Sequence, residues 1–443
     1  MGFLLESNED DTRLARYSFM GIAPAKTIAF KHGEATVTHH RTGQVETFPF
    51  ENPLHLLQSQ LGNIQKKSSE FPFTGGLVGY TGYGATRYFE HIPQQSTDPF
   101  DVPEGCYGLY DSVIVFDHLY RRIHFLSHQP PEDARHLWQT MQAKLKTSPA
   151  LMPLSAENIE NAVFEKTHGP FTQTSYCEGV EQCKALIRQG ELFQIVLSQR
   201  FSMPVTTNPI HIYRVIRAIN PSPYSYFLKF PEFFYLGASP ETFARCENGQ
   251  MMVKVLAGTR PRGQTEAEDE ALMQSLITDE KELAEHRMLV DLGRNDLGRV
   301  CEPGSIELGD IATVTRYTHV MHLATRVSGK LKADKTAFDA FQSVFPRGTV
   351  SGAPKIRAMQ HLAKLEPEQR GIYAGAVGYF DFNGNMDSAI AIRSVLVKEG
   401  QAHVNAGAGI VYDSDPISEY QETRNKAKSI LKAVQLAEGE TRP

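Results

Sequence analysis

The sequence has few of the features that would place it outside the ordinary globular enzymes. Its 443 residues include only five cysteines and no C-x-x-C pair, so neither a disulfide framework nor a zinc ribbon is expected. Lys and Arg total 45 against 51 Asp and Glu, a net charge of −6, which argues against a nucleic-acid surface. No apolar run approaches the roughly 18 residues of a membrane span, and no secretory leader is evident. These absences predict a cytoplasmic protein. Its length predicts two to three domains, at roughly 150 residues each.

Motifs of common nucleotide-binding and hydrolytic enzymes are also missing. Ser351, in the run Gly348–Gly352, comes one position too late for a G-x-S-x-G nucleophile elbow. The run Gly407–Tyr412 places a tyrosine where a G-x-G-x-x-G fingerprint needs its third glycine. No P-loop and no H-E-x-x-H motif occurs in the sequence. A serine hydrolase, a nicotinamide enzyme and a zinc protease are therefore not expected.

The distribution of strand and helix signals predicts three segments. Residues 1–126 are β-rich, residues 127–170 hold a helix and a polar linker, and residues 171–443 mix helices with strands. Near the end, an Asn383-Gly384 pair predicts a hairpin. Because strands follow one another in meanders while helices gather in the middle, we expect an α+β (mixed α/β) fold with antiparallel sheets.

Two pairs of glutamates recur at helical spacing. Glu282 and Glu285 share one face of a predicted helix, and Glu419 and Glu422 share one face of a second helix near the end of the chain. Alone, such a pair is usually a solvated helix face. If the two helices face each other, the carboxylates converge, and a divalent cation would keep them ionised. Oxygen ligands without His or Cys favour Mg²⁺.

Three other features could bind an anion or act in catalysis. The turn Gly348–Lys355 feeds a predicted helix whose first N–H groups could face a carboxylate, although an ordinary capped helix explains it equally well. Arg393 lies in a predicted strand, where it either clamps a carboxylate or points outward to solvent. His319 and His322 lie on opposite faces of a strand-like stretch, and for a lone histidine a structural role is the commoner one.

Four runs in the second half of the chain carry a resemblance to a known family. They are Leu256–Gly263, Lys281–Asp296, Phe345–Lys355 and Ala406–Val411. In this order, within residues 175–435, they resemble the chorismate-utilising enzymes and, among these, the large subunits (component I) that make anthranilate. Leu4–Ser7 followed by Arg16–Phe19 is similar to the N-terminal segment of those subunits. The resemblance implies a two-sheet antiparallel sandwich with helices and a central cleft.

The resemblance also implies a role for each matching residue. The family's Mg²⁺ ligands match the two glutamate pairs that the spacing had already indicated. Glu241 matches the general acid that protonates the departing C4 hydroxyl of chorismate, and His322 and Thr349 match cleft residues around the reacting ring. The matches to substrate-binding positions are Gln194, Ala257, Gly258, Thr259, Tyr373, Arg393, Gly407, Ala408, Gly409 and Lys426.

The implied reaction is a Mg²⁺-dependent lyase reaction in tryptophan biosynthesis. Gln194 stands where family members that add water carry Lys, which implies ammonia as the nucleophile and anthranilate and pyruvate as the products. Because ammonia is scarce at neutral pH, a glutamine amidotransferase subunit (component II) is implied as the partner in a hetero-oligomer. Ala257 and Thr349 favour this reading over component I of aminodeoxychorismate synthase, the folate-pathway rival. A non-catalytic relative would have lost a metal ligand or the general acid, and all are present.

A candidate inhibitor site follows from the same resemblance. Ser7, Pro223 and Tyr224 match positions that bind tryptophan in feedback-inhibited subunits. Ser225 stands where those subunits usually carry Met, and the residues that usually precede Leu4 are not in this chain. Whether tryptophan regulates the chain therefore stays open at this point.

Overall fold

The computed structural model describes residues 1–7, 16–62, 69–93, 95, 97–147, 164–317 and 320–440. His319 and residues 148–163 of the predicted linker lie outside these ranges. In the described part of the chain, no helix is both long enough and apolar enough to cross a membrane.

One antiparallel sheet of ten strands joins the first strand of the chain to the last. From edge to edge its strands are β18 (Gly352–Ala353), β10 (Gln194–Pro204), β22 (Gln401–Ile410), β21 (Ser394–Lys398), β12 (Phe233–Ser239), β11 (Tyr224–Lys229), β1 (Gly2–Glu6), β2 (Tyr17–Ile22), β8 (Ser112–Asp117) and β9 (Arg122–Ser127). Two of its central pairings are β10 with β22, which aligns Ser198 with Gly407, and β1 with β11, which aligns Glu6 with Ser225.

A second antiparallel sheet of twelve strands faces the first. Its order is β15 (Glu307–Leu308), β17 (Val320–Lys330), β14 (Gln250–Pro261), β13 (Thr242–Glu247), β20 (Met386–Ile390), β19 (Ala376–Asp381), β6 (Gly76–Thr81), β7 (Gly105–Tyr110), β3 (Lys26–Lys31), β4 (Glu34–His39) and β5 (Val45–Pro49), with β16 (Thr313–Arg316) beside β17. The predicted hairpin at Asn383-Gly384 is confirmed between β19 and β20. Both sheets contain strands from residues 1–126 and from residues 171–443.

The helices cover the outer faces of the two sheets. In the described residues they are α1 (Pro53–Leu61), α2 (Pro131–Thr147), α3 (Gln173–Arg188), α4 (Pro209–Ile219), α5 (Glu266–Ile277), α6 (Glu280–Gly298), α7 (Ala337–Val344), α8 (Lys355–Leu365) and α9 (Pro416–Glu440). The apolar stripe of α9 packs with α4 on the first sheet, and that of α6 packs with α7 on the second. The side chain of Asp279 caps α6 by accepting from the N–H groups of Lys281 and Glu282.

A core of aromatic and aliphatic side chains holds the two sheets face to face. Tyr80 and Val377 of the second sheet share one buried cluster with Tyr235 and Leu396 of the first. Burial of each such side chain contributes roughly 1.5–3 kcal/mol to folding. The two packed antiparallel sheets with outer helices confirm the predicted fold class.

The predicted strand through Arg393 is wrong. The chain leaves β20 of the second sheet and enters β21 of the first, and Arg393, with φ +52°, lies at the crossing. Apolar residues continue through the crossing, so the sequence pattern does not show where the chain passes from one sheet to the other. The left-handed backbone conformation ends the first strand and turns the chain toward the other sheet. Arg393 is thus placed where the two sheets meet.

Candidate active site

The site lies where the chain passes twice between the sheets. The first crossing joins β12 to β13 and carries Glu241, and the second joins β20 to β21 and carries Arg393. The two crossings lie side by side, because Ala238 N donates to Arg393 O at 3.1 Å and Ile390 N donates to Glu241 O at 3.0 Å. Two residues that are far apart in sequence, one acidic and one basic, are therefore held on neighbouring backbone segments.

Thr349 approaches Glu241 from the turn that precedes α8. Its hydroxyl donates to Oε2 of Glu241 at 3.0 Å. This hydrogen bond fixes the carboxyl group of Glu241 relative to the turn. Glu241, which the resemblance matched to the general acid, and Thr349, which it matched to a cleft residue, are thus in direct contact.

His322 is held in one orientation by a bulge in the second sheet. The pairing of β14 with β17 shifts register between Ala257 and Thr259, and Gly258 at the bulge has φ +66°. Nδ1 of His322 lies 2.8 Å from the Gly258 carbonyl oxygen and 3.1 Å from Thr259 Oγ1. Burial lowers the pKa of His322, so the neutral ring is favoured. Because the carbonyl can only accept, Nδ1 carries the proton and Nε2 keeps its lone pair.

The glycines of β22 leave room for side chains above the first sheet. A Cβ on Gly409 would lie 2.9 Å from Nε2 of Gln194, and one on Gly407 would lie 3.1 Å from the hydroxyl of Tyr373. Burial raises the pKa of Tyr373 to about 12, so its phenol is a neutral hydrogen-bond donor. The small residues at these positions are needed so that Gln194 and Tyr373 can lie against the strand.

Lys426 and Arg393 connect α9 to this strand and to the second crossing. Nη1 of Arg393 donates to the carbonyl oxygen of Lys426 at 2.8 Å. Nζ of Lys426 donates to the carbonyl oxygen of Gly407 at 3.0 Å and pairs with Glu422 at 2.6 Å. The positive charge of Arg393 therefore lies close to Glu241, and that of Lys426 lies beside Gly407 and Glu422.

Each of three glutamates is held by a protein partner at the side of the site formed by α6 and α9. Gln194 Nε2 donates to Glu285 at 2.7 Å, Arg260 Nη1 donates to Glu282 at 3.2 Å, and Lys426 holds Glu422. Burial raises the pKa of Glu285, and the nearby charges of Glu282 and Glu422 raise it further. Burial also raises the pKa of Glu419, and the charge of Glu422 adds to that effect.

The four glutamates offer the oxygen donors that a hard divalent cation prefers, and three of these side chains are held by protein partners. Among the described residues, no group of three or more His, Cys, Asp or Glu side chains lies close enough together to hold a metal ion. The four carboxylates nevertheless offer oxygen donors only, and burial, to which repulsion by the charge of Glu422 adds, raises the pKa values of Glu285 and Glu419. A divalent cation would relieve that repulsion.

Arg260 is a site residue to which the sequence analysis gave no role. It contacts Glu282 and also donates to Asp279 at 2.8 Å. It lies within Leu256–Gly263, one of the runs that carry the resemblance, but its spacing alone does not indicate a partner. Ala257, Gly258 and Thr259, which the resemblance assigned to substrate binding, form the bulge beside His322. Ala408 lies between the two close glycines of β22 and faces Leu197.

The residues of the candidate inhibitor site lie together elsewhere, around a cavity of about 800 Å³. Ser7, Pro223, Tyr224 and Ser225 line it, whereas none of the predicted catalytic residues does. The hydroxyl oxygens of Ser7 and Ser225 are buried and have no hydrogen-bond partner among the described residues. The hydroxyl of Tyr224 donates to Oδ1 of Asp387 at 2.9 Å. A cavity with a mixed polar and apolar lining and unused hydroxyls is suited to a small ligand that carries both kinds of group.

Comparison with known proteins gives consistent results for sequence and structure. The sequence profile of the chorismate binding enzymes matches residues 2–432. Anthranilate synthase component 1 of Acetivibrio thermocellus is 42% identical, with 99% of this chain and 91% of the relative aligned, and its counterpart from Pseudomonas putida is 41% identical over 98% and 90%. The crystal structure of anthranilate synthase component I from Streptococcus pneumoniae superimposes with a TM-score of 0.84 at 40% identity, over 94% of this chain and 92% of that one.

Proposed function

The chain belongs to the chorismate binding enzyme family, and we propose from this premise that it is a component I subunit that converts chorismate and ammonia into anthranilate and pyruvate. Full-length relatives at about 40% identity bear that name. The observation that carries the proposal is that the acid Glu241 lies close to both the neutral His322 and the cationic Arg393, so that its charge acts on each of them. In this role the protein acts in the committed step of tryptophan biosynthesis.

Glu241 is the general acid of the first step. Ammonia forms a bond to C2 of chorismate while the bond from C4 to its hydroxyl oxygen breaks, and Glu241 supplies the proton with which that hydroxyl leaves as water. Thr349 donates to the carboxylate that proton transfer creates. This contact favours the product side of the transfer, because a hydrogen bond to the ionised form stabilises it.

His322 serves the second step. The aminated intermediate must lose its C2 proton and its enolpyruvyl group to become aromatic, with pyruvate released. A neutral imidazole with its lone pair on Nε2 can accept a proton, and the contact of Nδ1 with Gly258 fixes the ring in that form. We expect the His322→Ala variant to accumulate the aminated intermediate; formation of anthranilate at the parent rate would remove His322 from this role.

Chorismate carries two carboxylates, and the site offers cationic and neutral donors for them. Arg393 lies at the second crossing, where its planar guanidinium can bind a carboxylate bidentately. Tyr373 adds a neutral hydroxyl donor, and the backbone of Gly407–Gly409 lies beside it. Gln194 offers an uncharged amide, which cannot deprotonate water as an amine base could and therefore suits ammonia as the nucleophile.

We also propose that Glu282, Glu285, Glu419 and Glu422 hold Mg²⁺ when chorismate binds. The ion would compensate a substrate carboxylate and draw electron density from the ring. Arg260, Gln194 and Lys426 hold three of these carboxylates. These contacts restrict the orientation of the acidic side chains.

The ammonia would come from a glutamine amidotransferase subunit. None of the five cysteines has the character of a glutaminase nucleophile, because burial raises the pKa of every thiol. All five are unpaired, which supports a reducing compartment such as the cytoplasm. We expect the purified chain to use ammonium salts, and to use glutamine only when the partner subunit is added.

The test of this function is the identity of the product. Purified protein is incubated with chorismate, Mg²⁺ and ammonium at alkaline pH, and the products are separated with fluorescence detection. Anthranilate is the expected product. An aminated product that becomes p-aminobenzoate only after a lyase is added would assign the protein to the folate pathway instead.

A second proposal concerns the cavity of about 800 Å³, which we propose binds tryptophan as a feedback inhibitor. Its support is the pair of unused buried hydroxyls on Ser7 and Ser225 beside Tyr224. Tryptophan should therefore bind to the protein in calorimetry and lower its activity, and Tyr224→Ala should weaken both effects. Undiminished binding in that variant would move the inhibitor site elsewhere.

A further inference from the structure

An ion pair buried behind the active site connects segments that the reaction uses. Glu366 follows α8, and Arg370 lies in the connection to Tyr373; their side chains are only 4% and 1% exposed. The guanidinium donates to the carboxylate twice, from Nε at 2.8 Å and from Nη2 at 2.6 Å. Removing one member of such a pair leaves an uncompensated buried charge. The proposed chemistry uses neither residue.

The remaining donors of Arg370 reach two backbone segments that carry site residues. Nη1 donates to the carbonyl oxygen of Val350 at 2.6 Å, and Val350 follows Thr349 directly. Nη2 donates to the carbonyl oxygen of Val196 at 2.7 Å, in the strand that begins at Gln194. A planar guanidinium fixes both distances at once, because its donors have a rigid geometry.

The carboxylate of Glu366 and the face of the Arg370 guanidinium make further contacts with the same part of the structure. Oε1 of Glu366 accepts from both the N–H and the hydroxyl of Ser198 at 2.8 Å, and Ser198 faces Gly407 in the next strand. The guanidinium carbon of Arg370 lies 5.9 Å from the ring centre of Tyr373. The pair therefore contacts the turn that holds Thr349, the strand that begins at Gln194 and the ring of Tyr373.

We infer that Glu366 and Arg370 form a positioning unit that fixes the turn of Thr349, the strand of Gln194 and the ring of Tyr373 relative to one another. The inference rests on the proposed function, since it concerns the geometry of that site. Loss of the planar, multiple donation by Arg370 should therefore lower turnover by displacing Thr349 and Gln194. A misplacement of about 1 Å lowers rate constants by about a hundredfold.

The same strand offers a matched control. Arg200 makes a bidentate pair with Glu368, at 2.5 and 3.0 Å, with both side chains 12% exposed. This pair joins the same strand to the same connecting segment, and its further side-chain contacts are with Ser202 and the ring of Phe100 rather than with the turn of Thr349. Arg200→Lys and Arg370→Lys therefore make the same chemical change at two ends of one structural unit.

The experiment compares ammonia-dependent steady-state kinetics and melting temperatures for the wild type, Arg370→Lys, Arg200→Lys and Ser198→Ala. We expect Arg370→Lys to lower kcat by about a hundredfold, with a smaller change in KM for chorismate. Arg200→Lys should keep kcat within about twofold of wild type at a similar loss of melting temperature. The milder Ser198→Ala, which removes one hydroxyl from Glu366, should lower kcat by about threefold without unfolding the chain.

Two results would overturn the inference. One is a folded Arg370→Lys variant whose kcat stays within about twofold of wild type. The other, which decides the matter if Arg370→Lys does not fold, is a Ser198→Ala variant with unchanged kcat. Failure of the proposed function is distinguishable, because it would appear as absence of anthranilate with the wild-type chain.

Discussion

Replacement of Thr349 by valine tests the contact on which the acid step depends. Valine has the shape of threonine without the hydroxyl, so it removes the 3.0 Å donation to Glu241 and leaves the packing of the turn intact. A hydrogen bond to a charged group contributes about 1.5–3 kcal/mol. If the bond forms fully as the carboxylate develops, its loss raises the barrier by that amount, which corresponds to roughly a 10- to 150-fold fall in kcat.

The assay is ammonia-dependent formation of anthranilate, followed by fluorescence at saturating chorismate, with the melting temperature as a check on folding. Thr349→Ser is the matched control, because it keeps the hydroxyl and should retain most of the rate. The reasoning fails if Thr349→Val, folded like the wild type, turns over chorismate within about twofold of the wild-type kcat.

Three further predictions concern the glycines of the site, the glutamates and a half-buried histidine. In Gly409→Ala the new Cβ would displace the amide of Gln194, so activity should fall with little change in melting temperature. Gly298→Ala is the control and should be active, because a Cβ there meets nothing within 4 Å. Equal activity of the two variants would contradict the packing of Gln194 against Gly409. Mg²⁺ should raise the melting temperature of the wild type but not of Glu285→Gln, and an equal rise in both would remove Glu285 from the ion site. Burial lowers the pKa of His403 to about 4, against about 6.5 in the unfolded chain. Between these two pH values the unfolded state binds more protons than the folded state, so the free energy of unfolding decreases by up to about 3 kcal/mol as the pH falls. In urea unfolding at several pH values, the free energy of unfolding should decrease less with falling pH in His403→Gln than in the wild type. The same pH dependence in both proteins would show that His403 is not held neutral.

The parts of the site that lie on helices could be predicted from local sequence. The spacing of Glu282 with Glu285, and of Glu419 with Glu422, places each pair on one helix face, and α6 and α9 confirm both helices. That Glu422 of α9 acts on Glu285 could only be a hypothesis, because spacing within one helix says nothing about the distance to another helix.

The parts of the site that lie between the sheets could not be predicted from local sequence. Glu241 and Arg393 are neighbours because two strands leave one sheet and enter the other side by side. A strand pattern repeats every two residues in either sheet, so it does not show where the chain changes sheets. The resemblance supplied Glu241, and only the structure shows what holds it beside Arg393.

The same limit applies to the ion pair behind the site. Glu366 and Arg370 are four residues apart, a spacing typical of an exposed helical pair, yet both are buried and lie outside α8. Their importance comes from carbonyl groups contributed by Val196 and Val350. No local pattern identifies such partners, since any residue could supply the carbonyl.

The most direct test of the account is the stoichiometry of the reaction with ammonium as the nitrogen donor. With wild-type protein, chorismate and Mg²⁺, we predict anthranilate and pyruvate in equal amounts, and neither product from Glu241→Gln that folds like the wild type. An aminated product without pyruvate from the wild type, or full turnover by Glu241→Gln, would contradict the assignment of the reaction and of its acid.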